Sequence, residues 1–398
     1  MNERLLRQGF LGLFLLSLLV ILLVQWLWPD TETNENRPLA SFPEQPVTID
    51  QWAEFRASFE SYMDDNFGFR RGLQRTFHRL IVATGTSPLE NILLGHDGWL
   101  FTAHRSLTDQ HRGAMPLDPG TLDSYVDAFR QQRRWVEGQG ARHFLMPLPD
   151  KNTIYPEYLP EWARPVQPGR FAQLQDALTE AGEPFVDSLL NLSEAKERGE
   201  WIYWQTDTHW NCLGAYHAYQ ALMDQVQSTG VPYRKRITNR ELGLEARPPS
   251  VGGDMSQMLI MEDILLERRD VSCRLVFQDS LSFSAERLKD GAIHRNFIAR
   301  PKNEVWRYRQ DVPVVESKAL LFRDSFAHLL LPYLVKSFDE LVVAPHGELE
   351  FDEQLVLEHQ PDLVIYQFVE RDLIVRPERD QLAAPVVKVA ETTVNKNQ

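Results

Sequence analysis

The chain has 398 residues, of which 43% are apolar, so it can bury a sizeable core in one large domain with an accessory segment, or in two domains. Acidic residues outnumber basic residues by 56 to 42, which gives a formal net charge of −14. This balance argues against a nucleic-acid-binding protein, which normally carries a basic surface. A polyanionic ligand stays compatible with it, because a cleft can be locally basic.

An apolar segment lies near the N-terminus. Residues 9–28 contain almost no polar side chain and are long enough to cross a bilayer as one helix. Arg4 and Arg7 precede the segment and acidic residues follow it, so residues 1–8 are expected in the cytoplasm and the rest outside. A cleaved signal peptide is the alternative. In a Gram-negative cell, this pattern predicts a single-pass inner-membrane protein with its large domain in the periplasm.

The two cysteines, Cys212 and Cys273, bear on compartment and metal binding. In an oxidising compartment they can form one disulfide, and two buried free thiols are the alternative. No group of residues has the spacing of a structural zinc site. We therefore expect neither a metal nor another cofactor.

Beyond the apolar segment, residues 29–95 read as a linker followed by a helical segment. Residues 96–385 then alternate between helical patterns and short apolar strands, and residues 386–398 form a polar tail. The core strands are expected at 143–147, 184–187, 319–322, 341–344 and 363–368. This alternation predicts an α/β fold, a three-layer α/β/α arrangement with a mostly parallel sheet. Residues 189–317 are expected to be an insertion over the active-site face.

Two short stretches carry the strongest chemical signal. Asp207 and His209 stand two residues apart, so in an extended segment their side chains point the same way. Ser325 stands where an apolar strand pattern gives way to a helix predicted from Ala327, at the carboxyl end of a core strand. A serine becomes a nucleophile when a base takes its proton, and a carboxylate that orients the base assists it. These residues predict a Ser-His-Asp triad, with N–H groups of the helix N-terminus as oxyanion donors.

Each of these residues also has a structural interpretation. Ser325 can be an ordinary helix N-cap. Asp207 and His209 can be a solvated pair or two metal ligands, although no third ligand stands out.

Further candidates follow the same strands. Trp210 belongs to an aromatic group around the Asp-x-His motif that indicates a sheltered or carbohydrate-lined site, with ordinary core packing as the alternative. Tyr366 and Arg371 close the last core strand, and Lys151 follows the first. Each is a candidate substrate contact. A strand terminus, a structural ion pair or a solvated loop lysine is the alternative.

Several short pieces, in this order, resemble the alginate O-acetyltransferase family of periplasmic SGNH-hydrolase-like proteins, the AlgJ and AlgX type. The pieces are residues 65–70 (DNFGFR), 95–101 (GHDGWLF), 149–151 (PDK), 155–157 (YPE), 207–210 (DTHW), 253–255 (GDM), 324–326 (DSF) and 370–371 (ER). The resemblance covers most of the chain beyond the apolar segment.

The resemblance implies an SGNH-hydrolase-like fold in which the Asp-x-His motif precedes the serine, the reverse of the usual order. It implies Ser325 as nucleophile, His209 as base and Asp207 as its orienting group. It also implies acetyl transfer to an exported polysaccharide, with a membrane-bound O-acyltransferase as acetyl supplier and other export subunits as partners. Arg323 replaces the glycine of the family's usual Gly-Asp-Ser motif. Glycine there allows a close backbone approach or a positive φ, so the arginine is expected either to alter the oxyanion geometry or to add positive charge near an anionic sugar.

These observations predict a membrane-anchored polysaccharide O-acetyltransferase. An esterase or deacetylase with the same triad is one alternative. A non-catalytic subunit of a polysaccharide export complex is another, and Arg323 keeps it open. The polymer and the acetylated hydroxyl are not readable from the sequence.

Overall fold

The computed structural model describes residues 3–27, 39–66, 68, 70–103, 106–276, 282–299, 303–346 and 350–373. The chain forms two compact units. The helical unit comprises Met1–Glu90 with Val251–Leu266, and the sheet unit comprises Asn91–Ser250 with Glu267–Gln398. The predicted linker lies partly outside the described residues and the predicted tail at 386–398 lies wholly outside them.

Twelve α-helices occur among the described residues. They are α1 (Glu3–Leu27), α2 (Gln51–Asn66), α3 (Arg70–Ala83), α4 (Leu107–His111), α5 (Pro119–Gly138), α6 (Lys151–Ile154), α7 (Arg170–Glu180), α8 (Ser188–Glu197), α9 (Cys212–Thr229), α10 (Asp254–Met258), α11 (Leu331–Ser337) and α12 (Glu353–His359). The strands are β1 (Ile92–Leu94), β2 (Leu100–Thr102), β3 (Arg142–Leu148), β4 (Leu242–Arg247), β5 (Asp270–Leu275), β6 (Phe283–Arg287), β7 (Ala292–Arg295), β8 (Trp306–Gln310), β9 (Lys318–Arg323), β10 (Glu340–Pro345) and β11 (Leu363–Val369).

The helical unit contains α1, α2, α3 and α10. Inside it, His78 Nδ1 lies 2.8 Å from the carbonyl oxygen of Leu259, and Arg71 Nη2 lies 2.6 Å from Glu262 Oε1. These contacts join α3 to residues 251–266. In the part of the chain that the structure describes, no helix combines the length and the apolar character needed to cross a membrane. The anchor expected at residues 9–28 stays a prediction.

The sheet unit is built on a seven-stranded sheet with the order β3-β11-β9-β10-β8-β6-β7. The first four strands in this order are mutually parallel, and the remaining pairings are antiparallel. Two further sheets are antiparallel pairs, β1 with β2 and β4 with β5.

Side chains alternate between two apolar cores along the central strands, as the period of a strand requires. In β9, Leu321 belongs to one core, whereas Leu320 and Phe322 belong to the other. The first core includes apolar side chains of α8, α9 and α11, and the second includes those of α5, α7 and α12. Helices therefore cover both faces of the sheet.

The four parallel strands bring distant pieces of sequence to one edge. Leu148 at the end of β3 is in register with Val369 at the end of β11, and Arg323 at the end of β9 is in register with Pro345. Such an edge is where open α/β sheets carry their sites. The segments that meet there are residues 149–151, 324–326 and 370–371.

Four details differ from the predictions. The sheet is mixed rather than mostly parallel, because β6, β7 and β8 of the predicted insertion pair antiparallel. The strand expected at 184–187 contributes one bridge, between Leu145 and Phe185. The helix predicted from Ala327 begins instead as a 3₁₀ turn, Ser325–Leu329, ahead of α11. Residues 251–266 of the insertion belong to the helical unit.

Candidate active site

Asp207 and His209 occupy the tip of a tight loop. The loop closes through an antiparallel bridge between Tyr203 and Trp210. Asp207 Oδ1 accepts a hydrogen bond from the backbone N–H of His209 at 3.0 Å, and His209 Nδ1 lies 2.7 Å from the same oxygen. An aspartate that accepts from the backbone two residues on is a turn-forming contact that aspartate favours. The segment is therefore a turn rather than the expected extended strand, and the turn itself places the carboxylate against the imidazole.

Ser325 lies on the other side of the imidazole. Its Oγ is 2.9 Å from His209 Nε2. Asp324, directly before it, caps the 3₁₀ turn by accepting from the N–H of Phe326 at 2.7 Å and from the N–H of Val369 at 2.6 Å. The cap fixes the serine at the end of β9, and it engages the Phe326 N–H that was a candidate oxyanion donor. Asp207, His209 and Ser325 have the hydrogen-bond order of a nucleophile, base and orienting acid.

Phe326 joins the two halves of this arrangement. Its ring centroid lies 5.0 Å from that of His209 and 5.5 Å from that of Trp210. Trp210 Nε1 donates to the carbonyl oxygen of Phe326 at 3.0 Å. Arg371 places its guanidinium 5.3 Å from the same ring centroid. The imidazole therefore packs on an aromatic surface that is anchored on both sides.

A buried polar network lies at the same edge of the sheet. Arg371 donates through Nε to Asp150 Oδ1 at 2.8 Å, and His111 Nε2 lies 3.2 Å from Asp150 Oδ2. Glu370 Oε2 accepts from the N–H of Asp150 at 3.0 Å and from Thr153 Oγ1 at 2.6 Å. The network ties the end of β11 to the end of β3 and holds Arg371 in place.

Burial and the charges of neighbouring groups shift the pKa values of the residues in this network. Burial alone would raise the pKa of Asp150, but Arg371 and His111 lower it to about 2. Burial would lower the pKa of His111, but Glu370 and Asp150 outweigh it and the net direction is upward. Burial raises the pKa of Glu370. The carboxyl of Asp150 is therefore ionised at neutral pH, and it is paired with the guanidinium of Arg371.

Two trios of side chains at this edge have ligand atoms close enough to hold a metal ion. They are His111 with Asp150 and Glu370, and Asp324 with His346 and Asp372. In the first trio Asp150 is already bonded to Arg371, and in the second Asp324 caps backbone N–H groups. These existing contacts compete with an ion, and we assign a metal to neither trio.

The predicted substrate contacts differ in how much of each side chain is exposed to solvent. Arg371 keeps 24% of its side chain exposed beside Phe326. Arg323, Tyr366 and Trp210 are buried. Arg323 Nη1 donates to the carbonyl oxygen of Asp324, and Tyr366 lies in the second apolar core.

Lys151 is also buried, and its Nζ donates to three backbone carbonyls. Contact of Arg323, Tyr366, Trp210 and Lys151 with a substrate therefore stays a prediction from the sequence. They are packed or bonded inside the unit, so we do not propose them as substrate contacts.

Comparisons with known proteins agree with this geometry. A family model described as "SGNH hydrolase-like domain, acetyltransferase AlgX" matches residues 92–269, which include Asp207 and His209 and end before Ser325. The structure of PatB1 from Bacillus cereus aligns with a TM-score of 0.53 at 17% identity, over 71% of this chain and 96% of that one. The fold is thus of the SGNH-hydrolase-like α/β class.

Two curated relatives carry the name "Probable alginate O-acetylase AlgJ". The relative from Pseudomonas syringae pv. tomato is 22% identical over 379 residues, which are 87% of this chain and 92% of that protein. The one from Pseudomonas aeruginosa is 28% identical over 189 residues, 46% of this chain and 45% of that protein. The chain is therefore AlgJ/AlgX-like, and the resemblance predicted from the short motifs is confirmed.

Sequence reasoning missed two buried residues that hold other residues of the site in place. Glu267 accepts from the N–H of Gln205 at 2.8 Å, although it stands about 60 residues from the loop that it holds. His111 contacts Asp150. Neither has a motif of its own in the sequence. Asp150 stands inside a quoted motif, and Glu370 stands in another, at the end of the last core strand beside Arg371.

Proposed function

We propose that this protein is a membrane-anchored periplasmic O-acetyltransferase that moves acetyl groups to hydroxyls of an exported polysaccharide. The observation that carries the proposal is the hydrogen-bonded series Asp207, His209 and Ser325 at the carboxyl edge of the sheet. The relatives named as probable alginate O-acetylases support acetyl transfer as the reaction. The apolar residues 9–28 support the anchor.

The reaction proceeds in two halves. Ser325 Oγ attacks the acetyl carbonyl of the donor while His209 Nε2 takes its proton, and the donor's leaving group departs with that proton. An acceptor hydroxyl then attacks acetyl-Ser325, its proton passes to His209 and on to Ser325 Oγ, and the serine is restored. Asp207 keeps the imidazole oriented and stabilises its charged form in both halves.

The partners follow from the location of the reaction. A membrane-bound O-acyltransferase supplies the acetyl group at the membrane, and the polysaccharide acceptor arrives with other subunits for its modification and export. Arg371 is partly exposed beside Phe326 and remains our candidate contact for an acidic or hydroxyl group of the sugar.

An esterase with the same three residues is the second candidate. The observation that favours it is the exposure of the site, since His209 keeps 26% of its side chain accessible and water can reach the acyl-enzyme. Transfer and hydrolysis differ only in which hydroxyl attacks. A non-catalytic subunit is favoured by Arg323 in the serine motif, whereas the intact contacts of His209 weigh against it.

Product analysis distinguishes these functions. The full-length chain in detergent is incubated with an activated acetyl ester, with and without neutral and acidic oligosaccharides. We expect acetylated oligosaccharide with the wild type and none with Ser325→Ala. Ser228→Ala is the matched control, because Ser228 bonds only within its own helix region. Free acetate alone at saturating acceptor identifies an esterase, and no turnover of any kind identifies a non-catalytic subunit.

A further inference from the structure

The loop that carries Asp207 and His209 is held between two buried charges of opposite sign. Lys151 lies on the side of the loop's carbonyl groups, and Glu267 lies on the side of its N–H groups. Both side chains belong to the sheet unit, and they are 2% and 5% exposed. Buried charges of this kind are costly unless they are fully hydrogen-bonded.

Lys151 begins α6, just after the end of β3. Its Nζ donates to the carbonyl oxygens of Trp204 at 3.1 Å, Gln205 at 3.2 Å and Asp207 at 2.6 Å. An ammonium group has three protons, and these three acceptors match them. The shortest contact is to the backbone of Asp207, the residue whose carboxylate orients His209.

Glu267 holds the opposite side of the same loop. Its carboxylate accepts from the N–H of Gln205 at 2.8 Å and from both the N–H and the hydroxyl of Thr206. Its own backbone is fixed by a two-way bridge to Ser250. Burial raises the pKa of Glu267, and the bonds from Thr206 and the charge of Lys151 act in the opposite direction.

We propose that Lys151 and Glu267 are positioning residues for the catalytic loop, which they hold so that Asp207 and His209 meet Ser325. The inference rests on the proposed function for its catalytic consequence. Lys151 bonds carbonyl groups of the loop, and Glu267 bonds its N–H groups and the Thr206 hydroxyl, so each acts through the loop. A reactive geometry tolerates little displacement, and an error of about 1 Å costs on the order of 100-fold in rate.

The variants Lys151→Met and Glu267→Gln remove one charge each. Methionine replaces the lysine stem without its ammonium group, and glutamine keeps the length of the glutamate side chain. We expect the rate of Ser325 acylation per folded molecule to fall by about 10- to 100-fold, with the donor's KM unchanged. A purely structural role would instead lower the unfolding temperature and leave kcat of the remaining folded molecules intact.

Asp339→Asn is the matched control. Asp339 is also buried and also accepts from backbone N–H groups, those of Val314, Val315 and Ser317, but it holds a different loop. We expect this variant to lose stability and keep kcat. Thr206→Val is the milder probe, since it removes only the hydroxyl donor to Glu267 and retains the shape of the side chain. We expect Thr206→Val to fold and to have a lower kcat than the wild type, as Lys151→Met and Glu267→Gln do.

Hydrogen–deuterium exchange of the peptide that spans residues 204–211 provides a readout independent of activity. Faster exchange there in Lys151→Met and Thr206→Val than in Asp339→Asn is the expected result. If the wild type forms no adduct at Ser325, the proposed function fails and the exchange data still decide the positioning role. Wild-type exchange in the loop, or a wild-type kcat in folded Lys151→Met and Thr206→Val, would overturn the inference.

Discussion

Asp207 serves two geometric purposes through one oxygen atom. Its Oδ1 shapes the turn by accepting from the N–H of His209, and it orients the imidazole by contact with Nδ1. The imidazole can then present Nε2 to Ser325 at 2.9 Å. The short spacing of acid and base in the sequence is therefore the cause of their contact, because a local turn brings them together.

Replacement of this acid by its amide tests the orienting role. Asp207→Asn retains an oxygen that can accept from the backbone, so the turn and the fold should persist. The amide cannot stabilise the charged imidazole, and we expect turnover to fall by about 10⁴-fold, as in the worked serine-protease triad. Steady-state kinetics measure the loss, and the circular dichroism spectrum checks the fold. Near-normal turnover in a folded variant would remove Asp207 from the mechanism.

The sequence predicts the residues that meet through local geometry or at strand ends, and it does not reveal which side chains are buried by distant parts of the chain. Ser325 and the Asp-x-His motif meet because strand ends and a tight turn place them. Tyr366 follows the alternation of β11 into the second core, which its position near a strand end does not reveal. Lys151 is an apparent loop lysine in the sequence, and only the path of residues 204–207 explains its burial.

The ends of β3 and β11 are joined by a contact between a buried carboxylate and a partly exposed guanidinium. Asp150 is fully buried, and it links Arg371 of one strand end with His111. Asp150→Asn removes the carboxylate to which the guanidinium of Arg371 is directly bonded. We expect the free energy of unfolding to fall by about 3–5 kcal/mol.

Urea unfolding measures this loss, with Glu60→Gln as the control. The ion pair of Arg56 and Glu60 is exposed on α2, so solvent screens it and its loss should cost far less than the loss of the buried contact. Equal effects of the two variants would show that the buried network does not stabilise the strand ends.

The disulfide between Cys212 and Cys273 joins α9 to β5 across 61 residues of sequence. The pairing that the sequence left open is thus formed, because the fold brings the two Cα atoms to 5.8 Å. Closing a loop of this length restricts the unfolded chain, which stabilises the protein by about 4 kcal/mol in the chain-entropy model.

The double variant Cys212→Ser/Cys273→Ser tests this contribution. We expect a lower urea midpoint than in the oxidised wild type, and we expect that reduction of the wild type produces a similar loss. An unchanged midpoint in both cases would mean that the cross-link does not constrain the unfolded state.

For the whole molecule, the sequence predicts the parallel half of the sheet well and the antiparallel half poorly. The four parallel strands are apolar runs buried on both faces, which is the clearest strand pattern. The antiparallel strands β6, β7 and β8 are short, carry charged side chains and are exposed on part of their surface. Their pairing depends on neighbours distant in sequence, so periodicity alone did not reveal that the sheet is mixed.

The acid stability of the fold should depend on His143 in β3. Burial, helped by the charge of Arg133, lowers the pKa of His143 to about 3. The unfolded chain therefore binds a proton near pH 6.5 and the folded chain does not, so the free energy of unfolding falls as the pH drops from about 6.5 towards 3. At pH 5 this residue alone accounts for about 2 kcal/mol of loss.

His143→Leu removes the titrating group and fills its buried position with an apolar side chain. We expect the difference between the unfolding free energies at pH 7 and pH 5, from urea titrations, to be smaller in the variant by about 2 kcal/mol. The same difference in wild type and variant would mean that His143 is not held neutral in the fold.

The nucleophilic role proposed for Ser325 can be tested by mass spectrometry, because an acetyl group on the serine adds a defined mass to the chain. The full-length chain is mixed with an activated acetyl ester, quenched, and its intact mass is compared with that of Ser325→Ala treated in the same way. We expect one acetyl adduct on the wild type, mapped to the peptide containing Ser325, and none on the variant. A folded wild type without an adduct and without ester turnover, or an adduct that persists in Ser325→Ala, would contradict it.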